Sequence, residues 1–304
     1  MPEISILMNC YNGAEYLKFA IDSIYAQTFK DWEIVFIDNQ STDGSAAIAK
    51  SYDDRLKYYR TPEFLPLGGA RSFGLDFCKS KYLAFLDTDD IYLPEKLEEQ
   101  YSFMEEKQLD LSYTGFQVMD EKGDLGKKYY PTGSGDFFAF LLIKYEINMQ
   151  SVMLRNTAKI KFDPQFEYSP DAALFLDIAV DGKVGNLRDV LVQYRVVSNS
   201  LSAKTVALWG REARAGLDKL IKLYPGIEYK YPKEFSLARG RADYLSARYY
   251  MEAMNNRREA ELLMRKNRQQ STKMHFFYLL SLLPSPLWNL VHRICSSIEI
   301  RQVK

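Results

Sequence analysis

An α/β fold with a mostly parallel central sheet is what this 304-residue chain predicts. Three observations carry that reading. Short apolar runs alternate with amphipathic helical stretches through the first half, the signature of βαβ units wound in right-handed crossovers. The runs end in polar clusters, Asn9/Tyr11, Asp38/Asn39 and Asp87/Asp89, which the crossovers bring to one edge of the sheet. From Val206 onward the pattern is helical throughout, so an all-helical C-terminal region follows.

The elements can be justified in order. Ile4 to Asn9 reads as a strand, followed by Cys10-Tyr11-Asn12-Gly13 and a helix with Leu17, Ala20, Ile21, Ile24 and Tyr25 at helical spacing, Asn12 being its expected N-cap. A second strand, Trp32 to Asp38, leads through the polar loop Asn39 to Gly44 into a helix over Ala46, Ala47 and Ile48. A third, Leu56 to Tyr59, is followed by Leu67-Gly68-Gly69-Ala70-Arg71 and a helix to Cys78, where Ser72 reads as a cap near the helix start. Tyr82 to Asp87 is an apolar strand that ends abruptly in Asp87, Asp89 and Asp90, with a charged helix from Glu95 onward. In open α/β sheets the C-terminal ends of the strands are where ligands bind. Two carboxylates one residue apart there suit a divalent cation that also touches substrate phosphates.

Leu111 to Met119 reads as a further strand with a turn at Asp120 to Gly123, and Asp136 to Ile143 as a strongly apolar helix behind a flexible Gly133-Ser134-Gly135 joint. Helices then run over Leu208–Leu223, Phe235–Met254 and Arg257–Arg268, broken at Pro225-Gly226 and Asn255-Asn256. The division expected is residues 1–203 and 204–304.

Composition narrows the class. Hydrophobic residues at 47% and charged residues at 26% are those of a folded globular protein with a substantial core. The formal charge is zero, but residues 1–200 carry a net −10 and residues 201–304 a net +10. A basic C-terminal part suggests an anionic partner, and since no nucleic-acid module is visible, nucleic acid is excluded in favour of a membrane surface. Cys10, Cys78 and Cys295 are too few and too scattered for a disulfide framework or a zinc site and fit a reducing cytosol. The chain opens directly into Glu3-Ile4-Ser5-Ile6 with no basic leader, and no apolar run reaches the ~18 residues of a membrane span, so a cytoplasmic protein is expected. There is no G-x-G-x-x-G after the first strand and no P-loop, and His275 and His292 lie outside the α/β part, so dinucleotide, P-loop and Ser-His-Asp chemistries are disfavoured.

The runs Ile4 to Gly13, Ser23 to Phe29, Glu33 to Ser45, Gly69 to Ser72 and Phe85 to Asp90 together resemble the family-2 glycosyltransferases of GT-A fold, in order and at family spacing. The resemblance implies an inverting, metal-dependent transferase that uses a nucleotide-sugar donor. It places Tyr11 against the base, with Asn9, Asp38 and Asn39 at its edge and ribose. Arg71 would lie near the base or diphosphate, Asp87 and Thr88 on the ribose side, and Asp89 on Mg²⁺ or Mn²⁺. By the resemblance UDP is the first choice of donor nucleotide; many members have two aspartates where this chain has Asp38-Asn39, and that departure keeps dTDP and GDP as alternatives.

On the acceptor side the resemblance matches Asp171 to the catalytic base, in Glu167-Tyr168-Ser169-Pro170-Asp171, with Glu167 as fallback because Pro170 stands where Glu is common. Asp181-Gly182-Lys183 and Tyr194-Arg195 follow at family spacing. Asp171 read without the resemblance is a carboxylate favoured at a helix start. Residues 275–293 are apolar, aromatic, broken by Pro284 and Pro286 and flanked by bases. They read as an interfacial membrane element, with Trp and Phe in the headgroup zone, or as a helix docked on the core or on a second copy of the chain.

The expectation is transfer of a sugar to a hydroxyl of a glycan or lipid-linked glycan acceptor in bacterial surface polysaccharide assembly, on the cytoplasmic face of a membrane. The alternatives are a non-catalytic nucleotide-sugar- or glycan-binding module on the same fold and a nucleotidyltransferase. The latter would need a Gly- and Arg-rich phosphate loop after the first strand, which Cys10-Tyr11-Asn12-Gly13 is not.

Overall fold

Strand β1 (Ile4–Cys10) is buried on both faces because its side chains alternate between two helical layers. Ile4, Ile6, Met8 and Cys10 pack with Leu17, Ala20, Ile21 and Ile24 of α1 (Ala14–Tyr25). Ser5, Leu7 and Asn9 point the other way. There Leu7 lies against Gly74 of α3 (Leu67–Leu75), where an added Cβ would come within 2.4 Å of Leu7 Cδ1 and 2.8 Å of Ile37 Cγ1. Glycine lets that helix, with Arg71 at its middle, sit directly on the sheet on the face that Asn9 occupies.

The computed structural model describes residues 1–157, 160–197, 208–252, 254–270, 272–284 and 287–288. The chain divides into two compact units, Met1–Ser200 and Leu201–Lys304. In the first, β1 lies between β2 (Trp32–Asp38) and β4 (Tyr82–Phe85), and β3 (Leu56–Arg60) forms the outer edge, all parallel. α2 (Ser45–Ala49) joins β2 to β3. β5 (Ile91–Tyr92) and α4 (Lys96–Lys107) follow the acidic loop, then β6 (Leu111–Met119), β7 (Leu125–Tyr129), α5 (Phe137–Ile143), β8 (Val152–Arg155), α6 (Pro170–Asp181) and β9 (Val184–Arg195).

The sheet order is β3-β2-β1-β4-β8-β6-β9-β5, with β7 paired to β6. Its first four strands form the parallel part expected. Beyond β4 the sheet is mixed: β8 runs antiparallel to both β4 and β6, β9 parallel to β6, and β5 antiparallel to β9. The hairpin turn at Asp120–Asp124 reverses the chain after β6 and makes β7 antiparallel to it. Asp136 caps α5 by accepting from the Ala139 N–H at 3.0 Å.

The second unit contains α7 (Trp209–Leu223), α8 (Ile227–Lys230), α9 (Pro232–Glu252), α10 (Arg257–Asn267) and α11 (Thr272–Ser281). Gly226 takes φ +92 at the break before α8, a backbone state that only glycine adopts freely. Asn256 caps α10 through its side chain. Ala247, Met251, Ala260, Met264, Phe277, Leu280 and Trp288 form one apolar cluster. The interfacial reading of residues 275–293 is corrected here for its main anchors: Trp288 is fully buried and Phe277 is 5% exposed, so both serve the core of the unit. Phe276, Leu279 and Leu287 remain exposed, and residues 285, 286 and 289–293 lie outside the described residues. No described helix is long and apolar enough to cross a membrane.

Candidate active site

The loops after β1 and β2 are laced together by side chains. Ser41 Oγ accepts from the Asn12 N–H, Ser45 Oγ from the Gly13 N–H, and an Asp43 carboxylate oxygen from the Ala14 N–H. The first turn of α1 is therefore capped from another loop. Asn12 is not the cap that was expected: it sits at φ +52 and its Oδ1 accepts from the Thr42 N–H at 2.8 Å. Ser72 likewise caps nothing, lying within α3 and donating to the Phe162 carbonyl at 2.9 Å.

Of the donor-side residues, Asp38 is fully buried and its carboxylate is already engaged. It accepts from Tyr58, from the Ser41 N–H at 2.7 Å and from Arg60 Nη1 at 3.0 Å. Asn39 Oδ1 accepts from Thr61 and from the Leu65 N–H, while Nδ2 donates to the Leu65 carbonyl at 2.8 Å. Both oxygen lone pairs are thus used inside the protein, so Asn39, expected at the edge of the base, has no acceptor left for a base N–H; one Nδ2 hydrogen remains. Asn9 is the reverse case: its amide nitrogen and oxygen are both buried and have no hydrogen-bond partner among the described residues. Such an amide costs about 1–3 kcal/mol until something pairs with it. Tyr11 stands 56% exposed at the same edge with its ring 4.8 Å from that of Phe64, a residue the sequence did not single out.

β4 ends at Phe85, two residues short of the end expected at Asp87, and the acidic loop begins just past it. Asp87 receives hydrogen bonds from Arg71 Nη2 at 3.3 Å and from Gln150. Arg71, only 5% exposed, also lies 3.8 Å from Asp171 and against the Phe162 ring. One guanidinium therefore joins the donor-side carboxylate to the carboxylate expected to act as base. Asp89 has no ion pair among the described residues; burial first, then the charge of Asp87, pushes its carboxyl up to about 6. Asp90 is buried and raised well above the ordinary carboxylate range for the same reasons, and its Oδ1 accepts from the Arg195 N–H at 2.7 Å. Thr88 faces Gly13, whose missing side chain leaves it room.

Two positions carry more than the sequence indicated. Gln150, buried in the short helical turn before β8, donates to Asp87 Oδ2, the carboxylate oxygen that Arg71 leaves free. Arg195, the last residue of β9, donates through Nε to the Asp89 carbonyl and through Nη1 to Asp120, and its guanidinium lies 4.4 Å from the Tyr16 ring. Tyr194-Arg195 was matched as a pair, but only the fold reveals that Arg195 ties down the acidic loop.

Asp171 lies in the first turn of α6, where the helix dipole favours a carboxylate. Its side chain is 19% exposed. Glu167 is exposed in the preceding loop. The segment leading into the Gly133-Ser134-Gly135 joint, expected to be flexible, is anchored: Glu146 accepts from the N–H groups of Thr132 and Gly133 and from Tyr113. Burial pushes the Glu146 carboxyl up, but those hydrogen bonds outweigh it and hold it below its ordinary value.

Among the described residues no cluster of three or more His, Cys, Asp or Glu side chains could enclose a metal. The acidic pair still fits a hard divalent cation. Asp89 is a desolvated oxygen donor beside a second carboxylate, its carboxylate in no ion pair among the described residues although the charge of Arg195 reaches it, and Mg²⁺-type sites complete their shell with substrate phosphates and water.

Comparison with known proteins agrees with this architecture. The family model described as Glycosyl transferase family 2 matches residues 5–162. The Escherichia coli protein named UDP-Glc:alpha-D-GlcNAc-diphosphoundecaprenol beta-1,3-glucosyltransferase WfgD is 28% identical over 203 residues, covering 66% of this chain and 79% of that protein. S. aureus TarS 1-349, solved in complex with UDP-GlcNAc, superposes with a TM-score of 0.60 at 15% identity, over 92% of this chain and 90% of that one. The mannosyltransferase PcManGT from Pyrobaculum calidifontis, solved with GDP-Man and Mn2+, gives 0.59 at 14% identity, over 95% and 86%. At such identities the two structures speak for the fold. With its model matched over half its length, the chain belongs to glycosyl transferase family 2 and is a glycosyltransferase of GT-A fold.

Proposed function

We propose that the protein transfers one sugar from a nucleoside-diphosphate donor, a UDP-sugar first, to a hydroxyl of a glycan or lipid-linked glycan in bacterial surface polysaccharide assembly, with inversion at the anomeric carbon. The observation that carries the reading is Arg71, which bridges Asp87 and Asp171 and so brings a donor carboxylate and a base candidate to one cluster. A binding module would need the first carboxylate but has no use for the second.

In this reading Asp89, assisted by Asp87, holds Mg²⁺ or Mn²⁺. When bound, the cation would neutralise charge on the leaving nucleoside diphosphate. Arg71 presents a fixed guanidinium fork to the same anionic oxygens. Asp171 accepts the proton of the acceptor hydroxyl as its oxygen attacks. Tyr11 stacks on the base and the unpaired Asn9 amide hydrogen-bonds the nucleoside. Asp38 and Asn39 act as supports of the base-side wall, and Thr88 spaces the two aspartates. Support for a UDP donor and a diphospholipid-linked acceptor comes from the name of WfgD, and support for the cation from the Mn2+ complex of PcManGT. The net +10 of residues 201–304 supports contact with an anionic membrane surface at the inner face.

The test is a thermal-shift panel of UDP, dTDP and GDP with and without Mn²⁺, on wild type and Asp89→Ala. Metal-dependent stabilisation by one nucleotide, absent in the variant, is expected. No shift with any nucleotide would refute the donor site. Asp171→Asn then separates catalysis from binding: transfer falls about 10²–10⁴-fold while nucleotide binding persists. Unchanged transfer would remove Asp171 from the base role.

A further inference from the structure

Phe64 is a large apolar ring left 57% exposed, although the loop that carries it is firmly held. On one side of it the Thr61 N–H donates to the Asp38 carbonyl at 3.1 Å, and the Gln40 side chain donates to the Thr61 carbonyl. On the other, Leu65 gives its N–H to Asn39 Oδ1 and takes Nδ2 on its carbonyl. A ring fixed in place yet uncovered has a surface that folding did not bury. Its neighbour is Tyr11, 56% exposed, with 4.8 Å between centroids and 64° between planes. Two rings at that angle form a corner. A flat ligand that stacks on the face of one meets the other at its rim. On the face shared with Leu7 and Gly74 lies Asn9, with both amide atoms buried and unpaired among the described residues. Aromatic walls beside an unsatisfied amide suit a heteroaromatic ring with hydrogen-bonding edges, which is a nucleobase.

We propose that Phe64 is a second aromatic wall of the base site, forming with Tyr11 the corner that seats the base of the donor nucleotide and determines its affinity. The inference rests on the donor reading above. Phe64 takes no part in metal or diphosphate binding, which Asp87, Asp89 and Arg71 serve on α3 and the acidic loop. Its contribution is confined to the base, and that confinement is what an experiment can read.

Dissociation constants of UDP and of inorganic pyrophosphate, each with Mn²⁺, are to be measured by calorimetry for wild type, Phe64→Ala and Phe64→Tyr. UDP binding is expected to weaken at least about fivefold in Phe64→Ala and to be retained in Phe64→Tyr, since base–aromatic stacking tolerates either ring. Pyrophosphate, which has no base, is expected to bind all three alike. UDP binding unchanged in Phe64→Ala overturns the proposal, as does equal weakening of UDP and pyrophosphate, which would mean that the substitution disturbs the site as a whole. If wild type binds pyrophosphate but no nucleotide of the panel more tightly, the base site itself is absent and the donor reading fails with it.

Discussion

Gly13 offers the most direct test of how the acidic loop is positioned. Its backbone, at φ −104 and ψ 14, is open to any residue, so glycine is there for space. A Cβ at this position would lie 2.6 Å from Thr88 Oγ1, 3.1 Å from Thr88 Cβ and 3.3 Å from Cys10 Sγ. The hydroxyl can rotate away; the Thr88 Cβ cannot, so the loop between Asp87 and Asp89 must give by a few tenths of an ångström. Overpacking of this kind costs about 1–3 kcal/mol. Alanine recovers about 0.4–1 kcal/mol by restricting the unfolded chain. Gly13→Ala is therefore expected to lose about 1–2 kcal/mol in urea unfolding and to bind Mn²⁺·UDP more weakly, because Thr88 carries both aspartates with it. Thr88→Ala removes the nearest atom, so the double variant should be more stable than the sum of the singles by at least about 0.5 kcal/mol. Strict additivity, or a Gly13→Ala protein as stable as wild type, would refute the packing argument.

Four further outcomes follow from the same geometry. Arg71→Met strips Asp87 and Asp171 of their shared cation; breaking a buried pair costs about 3–5 kcal/mol, and the 38% and 19% exposure of the two carboxylates discounts that to about 1–3 kcal/mol, read in urea, with transfer abolished and no rescue by lysine expected. Asp89 is raised from 3.8 to about 6 without metal, so the stability it contributes is present below pH 3.8 and lost as pH rises to about 6; with EDTA present, Asp89→Asn should flatten the fall in urea midpoint across that window, and an identical slope would dismiss the assignment. Trp288→Ala should cost about 3–5 kcal/mol in the helical unit, seen by circular dichroism on heating, whereas an interfacial tryptophan would leave the melting unchanged. Asn39→Asp should loosen the Leu65 loop and weaken UDP more than pyrophosphate, measured as for Phe64; equal affinities would separate Asn39 from the base wall.

The strands that line the site were legible because each buries a continuous apolar run. Trp32–Asp38 and Leu111–Met119 are found with the bounds that hydrophobic patterning indicated. Others left little pattern. β5 is two residues long, and β7 reads Leu-Gly-Lys-Lys-Tyr because, among the described strands, it pairs with β6 alone and faces solvent. Side-chain roles were less legible than strands for a related reason. Asp38 looked available because its partners, Tyr58 and Arg60, lie 20 and 22 residues away. Asn12 looked like a cap because propensity is local, while the cap of α1 came from Asp43 across the loops. Gln150 and Phe64 have no pattern of their own, and only contact with Asp87 and Tyr11 gives them meaning.

Asn39 shows how one departure in the sequence acquires a physical reason. Where many relatives by resemblance carry a second aspartate, this chain needs a side chain that both donates to the Leu65 carbonyl and accepts from the Leu65 N–H. An amide does both; a carboxylate can only accept, and at 6% exposure its charge would go unpaid by solvent. Asn39 is therefore coupled to the loop that presents Phe64 and, among the described residues, has no direct hydrogen-bond link to the acidic pair. In the proposed donor site, a change at the end of β2 would thus act on the base wall through the backbone of Leu65, while metal and diphosphate chemistry would stay with Arg71 and the aspartates. On that proposal the two halves of donor recognition would rest on separate supports, and variation in the first would alter nucleotide preference without disturbing the second.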